Sequence, residues 1–289
     1  MLSELIPATK FNEERYIKDE DFRFFQELVF NLAGITLSEK KRDLLLTRLG
    51  SYLRNKEFKD YTDYRHYLEK LPEDHVEWQA LINLFTTNKT DFFREIAHFK
   101  YIENKLIPYW ISSNKKEVKI WSAACSTGEE PYSLAMFLEQ KLPSNIKYTI
   151  YASDIDTNVL SKAKNAVYNM TKEEEIPESF RKDSIQYGKE TIKEWFRIKP
   201  HLKNKIKFFS HNLVDDALPD DEKFDLILCR NVMIYFSRQV IEQVAIKLYK
   251  SCMDGGELFI GHSESLQNTE TSWVLSVPSV YAKKISRKK

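Results

Sequence analysis

The stretch WSAACSTGEEPYS, from Trp121 to Ser133, decides the fold. It reads as a β-strand, a tight turn and the first turn of a helix, which is the layout of a nucleotide-binding loop. Such loops usually have three glycines, whereas this one has only Gly128, followed by Glu129 and Glu130. Because two carboxylates at a helix start repel phosphate, the loop favours a ligand with a cationic group, such as an ammonium or a sulfonium.

The sequence on both sides of this loop indicates an α/β domain. Downstream of about residue 115, the strand-like runs EVKIWSA, KYTIYASD, FDLILCRN and GELFIGHS alternate with the helix-like segments EPYSLAMFLEQKL, TNVLSKAKNAVY and RQVIEQVAIKLYKSC. This alternation is typical of a parallel, doubly wound sheet. The segment SWVLSVPSVYAKK predicts a terminal strand pair. The charged stretch at about 168–207 breaks the alternation and predicts a small inserted subdomain.

Before residue 115 the periodicity is helical and there is no strand signal. DFRFFQELVFNLAGI has an apolar stripe with a 3.6-residue period, and Gly34 predicts its end. In SEKKRDLLLTRLGSYLRN, Ser38 predicts the N-cap of the next helix. YTDYRHYLEKL and HVEWQALINLF predict further helices. We therefore expect an all-α domain at 1–88, followed by the α/β domain at 89–289.

Composition limits the class of protein. The 289 residues include 44 Lys and Arg against 43 Asp and Glu, so bulk charge does not favour nucleic acid or a membrane surface as a partner. The three cysteines are too few and too scattered for a disulfide framework or a zinc site, and they suggest a reducing compartment. The first 22 residues lack a signal-peptide core, and no apolar run is long enough to span a bilayer. We expect a cytoplasmic monomer that neither inserts into membranes nor binds nucleic acid.

Two further loops carry polar side chains at predicted strand ends. Asp154 follows Gly128 by 26 residues and could accept the two hydroxyls of a ribose, and Asn212 could contact an adenine edge. A ligand with a ribose, an adenine and a cationic amino-acid tail is S-adenosylmethionine. Each feature alone also fits an ordinary helix start, since an aspartate at a strand end is often an N-cap. Together, in this order, they favour a binding site.

Two segments outside these loops complete the candidate site. In FTTNKTDFFRE, residues 85–95, polar side chains around Arg94 could close over a cofactor. The alternative is a capping segment, with Thr90 or Asp91 as N-cap and Phe92 and Phe93 as core anchors. In CRNVMIYF, Asn231 and Tyr235 follow a strand where a transferred group would be exposed. The alternative for Tyr235 is an ordinary residue of an amphipathic helix.

Five motifs in register resemble one family. TTNKTDFFRE, WSAACSTGEEPYSLA, ASDIDTNVL, CRNVMIYF and GHSESL look like the chemotaxis receptor methyltransferase family, CheR, from about Phe22 to Ala282. The resemblance implies methyl transfer from S-adenosylmethionine to glutamate side chains of methyl-accepting chemotaxis receptors, in their cytoplasmic helical region, with S-adenosylhomocysteine as product. It also implies the fold: a Rossmann-like class I methyltransferase domain with a small antiparallel β insertion, preceded by the all-α domain.

The resemblance also assigns roles to residues. Arg94 and Tyr235 are implied to position the reacting carboxylate, and the choice of Glu130 over Glu129 rests on its spacing to Asp154. The implied cofactor contacts are Asn88, Thr90, Arg94, Glu130, Asp154, Asn212, Leu213, Cys229 and Arg230.

Receptor docking is a separate prediction. Lys41 and Arg48 lie seven residues apart in one predicted helix, so their charges share a face that could meet an acidic receptor helix; the alternative is a solvated helix face. The insertion has only Gly188 where relatives that bind a receptor C-terminal pentapeptide have a glycine-rich turn, so that docking is not predicted. A methyltransferase for another acidic substrate and a non-catalytic cofactor-binding signalling module are the alternative functions.

Overall fold

The chain divides into two units, Met1–Thr87 and Asn88–Lys289. The structure, a computed structural model, describes residues 17–215, 222–267 and 269–285. The prediction that the first 22 residues lack a signal-peptide core therefore concerns a segment that lies largely outside the described residues. Asp216, at the end of HNLVDD, also lies outside them. Within the described part of the chain, no helix has both the length and the apolar character needed to cross a bilayer.

The first unit is helical, as predicted. Phe22, Phe25 and Val29 of the first helix are buried, and Gly34 ends that helix with φ 68°. This left-handed conformation is one that glycine adopts without steric cost. The four α-helices of the described part of this unit are α1 (Asp19–Ala33), α2 (Arg42–Asn55), α3 (Tyr61–Leu68) and α4 (Val76–Phe85).

The predicted start of α2 is wrong. Ser38 precedes a 3₁₀ helix, Glu39–Lys41, and its side chain makes no capping hydrogen bond. The α-helix itself begins only at Arg42. Lys41 and Arg48, predicted to share one helix, therefore lie in consecutive helical elements.

The second unit contains a seven-stranded sheet and a three-stranded sheet. The ten strands are β1 (Glu117–Ser122), β2 (Lys147–Asp154), β3 (Val167–Asn169), β4 (Ile185–Tyr187), β5 (Trp195–Ile198), β6 (Ile206–Ser210), β7 (Phe224–Cys229), β8 (Cys252–Ile260), β9 (Val274–Val277) and β10 (Val280–Ala282).

The large sheet has the order β6-β2-β1-β7-β8-β10-β9. Its first five strands pair in parallel, which confirms the α/β prediction. β9 and β10 are the predicted terminal strand pair and run antiparallel. Ile120 belongs to one apolar cluster and Trp121 to another. Because successive side chains of a strand point to opposite faces, the sheet is buried on both sides.

The small sheet is the predicted antiparallel insertion, with the order β3-β5-β4. The insertion ends earlier than the predicted residue 207, because β6 begins at Ile206 and pairs with β2 in the large sheet. The seven α-helices described in this unit are α5 (Ile96–Tyr101), α6 (Ile107–Ser112), α7 (Glu129–Lys141), α8 (Thr157–Asn165), α9 (Glu178–Ser184), α10 (Pro200–Lys203) and α11 (Arg238–Ser251).

Candidate cofactor and active site

The loop between β1 and α7 is fixed by its single glycine. Gly128 has φ 96°, and a Cβ at this position would lie 3.0 Å from the hydroxyl of Tyr168 and from Cβ of Ala163. Any other residue would be strained and would clash. The Tyr168 hydroxyl also donates a hydrogen bond to the carbonyl oxygen of Thr127, at 2.7 Å. The small sheet, which contains Tyr168, thus supports the acidic loop.

Asp154 is the last residue of β2, and hydrogen bonds from backbone amides orient both of its carboxylate oxygens. Oδ2 accepts a hydrogen bond from the amide of Ser126 at 2.8 Å, and Oδ1 accepts one from the amide of Asp156 at 3.0 Å. Asp156, not Asp154, is the N-cap of α8, so the capping alternative for Asp154 is wrong. Burial raises the pKa of Asp154 to about 6, although the hydrogen bonds to backbone amides act in the opposite direction.

The two loop glutamates have different partners. Glu130 accepts hydrogen bonds from the hydroxyl of Ser122 at 2.6 Å and from Nε of Arg230 at 2.8 Å. Glu129 accepts one from the hydroxyl of Thr127 at 2.6 Å and lies 4.0 Å from Nζ of Lys172. Burial raises the pKa of both carboxyl groups. Glu130 is therefore the one directed at the end of β1 and the residue that follows β7.

Arg230 is the buried cation of the site. Besides Glu130, its guanidinium meets three groups of the 94–98 segment: Nη1 donates to the carbonyl oxygen of Arg94 at 2.9 Å, contacts Nδ1 of His98 at 3.0 Å and lies 3.6 Å from the carboxylate of Glu95. Burial, followed by the charge of Arg230, lowers the pKa of His98 to about 3. His98 is therefore neutral near pH 7, and its Nδ1 accepts a hydrogen bond from the guanidinium.

Segment 88–95 has no regular secondary structure, and α5 begins only at Ile96. The alternative N-cap at Thr90 or Asp91 is therefore wrong, whereas Phe92 and Phe93 are buried as expected. Two hydrogen bonds hold Asn88. Its side-chain amide donates to the carboxylate of Asp156 at 2.7 Å, and its carbonyl oxygen accepts from the hydroxyl of Ser126 at 2.9 Å.

The side chain of Arg94 lies on its own segment. Its Nη1 donates a hydrogen bond to the carbonyl oxygen of Lys89 at 3.2 Å. The segment lies beside the acidic loop, since Ser126 of that loop binds the carbonyl oxygen of Asn88.

Tyr235 ends a 3₁₀ turn, Met233–Tyr235, so the amphipathic-helix alternative is wrong. Cys229, at the end of β7, is fully buried. The turn is held by Glu264, whose carboxylate accepts hydrogen bonds from the amides of Asn231 at 2.9 Å and Met233 at 2.8 Å.

Asn212 and Leu213 follow β6. The Asn212 side chain is engaged locally, since its oxygen accepts from the amide of Val214 and its nitrogen donates to Asp215, both at 3.0 Å. Leu213 packs into the apolar cluster that contains Trp121. Both residues therefore lie in the loop after the edge strand of the large sheet.

The predicted docking residues belong to the first unit. Arg48 donates hydrogen bonds to the carbonyl oxygens of Leu84 at 3.1 Å and Thr86 at 2.7 Å, at the C-terminal end of α4. Lys41 is half-buried and reaches the carbonyl oxygen of Thr36 at 3.4 Å.

The sequence reasoning missed the residues that hold the site in shape. The motifs GHSESL and WSAACSTGEEPYSLA contain Glu264 and Ser133 but give neither a role, and no pattern indicates the other three, since each contacts a chain segment distant in sequence. These residues are His98, Ser133, Lys172, Glu175 and Glu264.

The residues present fit S-adenosylmethionine. Acidic side chains dominate the ends of β1 and β2, and the buried cation Arg230 is already paired with Glu130. This donor set suits a ribose and a positively charged tail better than a pyrophosphate. An acidic, glycine-poor loop and an aspartate at the next strand end, on a mostly parallel seven-stranded sheet, define the class: a Rossmann-like methyltransferase that uses S-adenosylmethionine.

The chain belongs to the CheR methyltransferase family. Residues 88–281 match the model of the CheR methyltransferase SAM binding domain, and residues 20–86 match that of the CheR methyltransferase all-alpha domain. The chemotaxis protein methyltransferase of Borreliella burgdorferi is 36% identical over 95% of this chain and 98% of its own length. That of Escherichia coli K12 is 35% identical over 93% of both chains. The protein is thus a methyltransferase of chemotaxis, with S-adenosylmethionine as its cofactor.

Distant likenesses also occur among solved structures. PKMT2 from Rickettsia typhi in complex with AdoHcy is 17% identical, covers 50% of this chain and 20% of its own, and has a TM-score of 0.32.

Proposed function

We propose that the protein transfers a methyl group from S-adenosylmethionine to glutamate side chains of chemotaxis receptors and forms glutamyl methyl esters. The observation that carries this proposal is the match of both CheR family models, over residues 20–86 and 88–281, to a chain whose relatives are chemotaxis protein methyltransferases. The acidic loop and Asp154 at adjacent strand ends support it.

The proposed cofactor contacts divide by chemistry. Asp154 accepts the ribose hydroxyls, because both its oxygens keep lone pairs beyond those used by backbone amides. Glu130, balanced by Arg230, faces the cationic tail. The remaining proposed contacts are Asn88, Thr90 and Arg94 from the irregular segment, Asn212 and Leu213 at the adenine, and Cys229 at the end of β7.

The chemistry requires positioning more than proton transfer. A glutamate carboxylate is already ionised at neutral pH, so a strong general base is unnecessary. S-adenosylmethionine supplies an electrophilic methyl carbon, whose bond to sulfur breaks as the carboxylate oxygen bonds to it. The protein has to hold the carboxylate in line and exclude water. We assign orientation of the carboxylate to Arg94 and a hydrogen bond to it to Tyr235.

Docking of the acidic receptor helix is proposed for Lys41 and Arg48. Lys41 is the stronger candidate, since the guanidinium of Arg48 already binds two carbonyl oxygens at the C-terminal end of α4. A positive charge here attracts a glutamate-rich helix.

The test is transfer of a labelled methyl group to receptor-containing membranes, followed by base treatment. Label on the receptors that mild base releases as methanol supports the proposal, since esters are base-labile. Label that resists base, or that appears equally in receptor-free membranes, overturns the assignment to receptor glutamates. Binding of the cofactor without any transfer would instead identify a non-catalytic module.

A further inference from the structure

The backbone of residues 90–94 is held by side chains from elsewhere in the second unit. This segment lacks helix and strand hydrogen bonds, although Phe92 and Phe93 within it are buried. Backbone groups in such a place need other partners. Arg230 binds the carbonyl oxygen of Arg94, and the hydroxyl of Ser133 accepts from the amide of Phe93 at 2.9 Å.

Two more of these partners come from a single turn of the insertion. Nζ of Lys172 donates to the carbonyl oxygen of Thr90 at 2.7 Å, and Oε2 of Glu175 accepts from the amide of Phe92 at 2.8 Å. Both residues belong to the 3₁₀ helix Met170–Glu175, directly after β3. The insertion therefore binds the segment at two backbone atoms, the carbonyl oxygen of Thr90 and the amide nitrogen of Phe92.

The two residues also bind each other. Nζ of Lys172 lies 2.9 Å from Oε1 of Glu175 and 3.0 Å from Oδ1 of Asp91. Burial lowers the pKa of Lys172, but its hydrogen bonds to Glu175 and Asp91 outweigh burial and leave the pKa above its usual value. Lys172 is therefore charged near pH 7, and the pair is about three-quarters buried, with 28% and 27% of the two side chains exposed.

The segment needs this support. Phe93 and Glu95, on either side of Arg94, have φ values of 52° and 59°. Residues other than glycine occupy this left-handed region at a cost, and they remain there only when their surroundings enforce it. Arg94 thus lies between two residues whose conformation depends on outside contacts.

We propose that Lys172 and Glu175 are positioning residues, which fix the backbone of residues 90–92 and thereby aim Arg94 for methyl transfer. The inference rests on the proposed function, because it takes Arg94 as the residue that orients the acceptor carboxylate. Lys172 and Glu175 themselves touch neither cofactor nor acceptor. Of the proposed cofactor contacts, only Thr90 and Arg94 lie in the stretch that the pair fixes. Asn88 is anchored separately by Asp156 and Ser126, and Glu130 and Asp154 lie on other elements, so we expect cofactor affinity to fall less than turnover.

If Lys172 and Glu175 only stabilised the fold, their replacement would change different quantities. Loss of a partly exposed ion pair that only stabilised the fold would lower the melting temperature without changing turnover well below that temperature. Misplacing a substrate-orienting group by a fraction of an ångström reduces the rate instead.

The experiment compares Glu175→Leu and Lys172→Met with matched controls in the full chain. Glu174→Leu, at the neighbouring exposed glutamate, and Lys164→Met, at an exposed lysine of α8, control for composition. Lys172→Arg is the conservative rescue. The measurements are S-adenosylhomocysteine formation with receptor membranes, calorimetric binding of S-adenosylhomocysteine, and hydrogen exchange at the Phe92 amide.

For the two test variants we expect kcat to fall by about 10- to 100-fold, with the dissociation constant changed less than about threefold. We also expect faster exchange at the Phe92 amide in Glu175→Leu, unchanged exchange at the Phe93 amide, and partial recovery of kcat in Lys172→Arg. The controls should match the wild type.

Three results would overturn the proposal: unchanged kcat, an equal loss of kcat and cofactor binding, or unchanged exchange at Phe92 in Glu175→Leu. Failure of the proposed function looks different. In that case the wild type itself methylates no receptor, while the exchange measurement still decides whether Glu175 holds the Phe92 amide.

Discussion

Nη1 of Arg230 donates a hydrogen bond to the carbonyl oxygen of Arg94, 2.9 Å away. Nε of the same guanidinium donates to Glu130 at 2.8 Å. One buried side chain therefore links the end of β7, the acidic loop after β1 and the segment that contains Arg94. Any change at Arg230 should affect both cofactor binding and the placement of Arg94.

Replacing Arg230 with methionine should destabilise the protein and weaken cofactor binding together. The change leaves Glu130 buried without its cation, which typically costs about 3–5 kcal/mol. Urea unfolding and calorimetry with S-adenosylhomocysteine would measure the two effects. Arg238→Met, at the exposed start of α11, is the control and should shift stability by less than about 0.5 kcal/mol. Wild-type stability in Arg230→Met would contradict the importance of this pair.

Cofactor binding should depend on pH through Asp154. Because burial raises its pKa from 3.8 to about 6, the stability that Asp154 contributes to the ligand-free protein is present below pH 3.8 and is lost as pH rises through about 6. Ribose hydroxyls donate to the ionised carboxylate, so binding follows the opposite trend: it is strong above about pH 6 and weakens as pH falls, by up to about tenfold per unit.

Calorimetry with S-adenosylhomocysteine across this range tests the trend. Asp154→Asn should bind more weakly and should lose this part of the pH dependence. If the variant and the wild type share the same pH profile, another group is responsible.

Features of the site that depend on neighbouring residues in the sequence can be predicted, whereas those that depend on contacts between distant residues cannot. The acidic turn at Gly128 and the placement of Asp154 follow from local strand and helix patterns, so both were predictable. The pairing of Glu130 with Arg230 joins residues 100 positions apart, and no local pattern encodes it. The contacts of Lys172 with Thr90 and of Glu175 with Phe92 join residues 82 and 83 positions apart, and no local pattern encodes them either.

Local chemistry also misled in places. Ser38 has the right residue type for an N-cap, yet a 3₁₀ turn intervenes before α2. Asp154 and Asp156 are both capping residues by type, and only the backbone contacts show that Asp156 is the cap. Capping propensity cannot tell which of two nearby aspartates is the N-cap, because the tertiary contacts of each side chain decide it.

Tyr235→Phe should lower turnover more than cofactor affinity. The substitution removes only the hydroxyl, which we assign to the acceptor carboxylate, and leaves the 3₁₀ turn intact. A lost hydrogen bond to a charged group corresponds to about 1.5–3 kcal/mol, or roughly a 10- to 150-fold decrease in kcat. Steady-state kinetics with receptor membranes, beside calorimetry, would measure both. An unchanged kcat would exclude a direct role for the hydroxyl.

Substitutions at Lys41 and Arg48 in the first unit should separate receptor docking from protein stability. Lys41→Glu should weaken receptor methylation and leave both cofactor affinity and the melting temperature near wild-type values. Arg48→Met should destabilise the protein by about 1–2 kcal/mol, because the carbonyl oxygens of Leu84 and Thr86 lose their donor. If Lys41→Glu reduces cofactor binding as much as receptor methylation, the proposed division of labour is incorrect.

Glu264→Gln should be damaging although it changes a single atom. Each carboxylate oxygen of Glu264 accepts two backbone amides: Oε1 those of Met233 and Ile234, at 2.8 and 3.3 Å, and Oε2 those of Asn231 and Gly261, at 2.9 and 2.6 Å. A carboxylate is the only side-chain group with this many acceptor sites.

In the glutamine variant, one oxygen becomes an NH₂ group that faces two N–H donors. The turn that carries Tyr235 then loses half of its support, at a cost of about 2–3 kcal/mol or more. We expect lower stability in urea unfolding and a fall in kcat that exceeds the change in cofactor affinity. Glu270→Gln, at an exposed glutamate, makes the same chemical change away from the turn and should behave as wild type. Because Asn231 has φ 59°, a strained conformation that the Glu264 contact helps to hold, wild-type turnover in Glu264→Gln would show that the turn is held by other contacts.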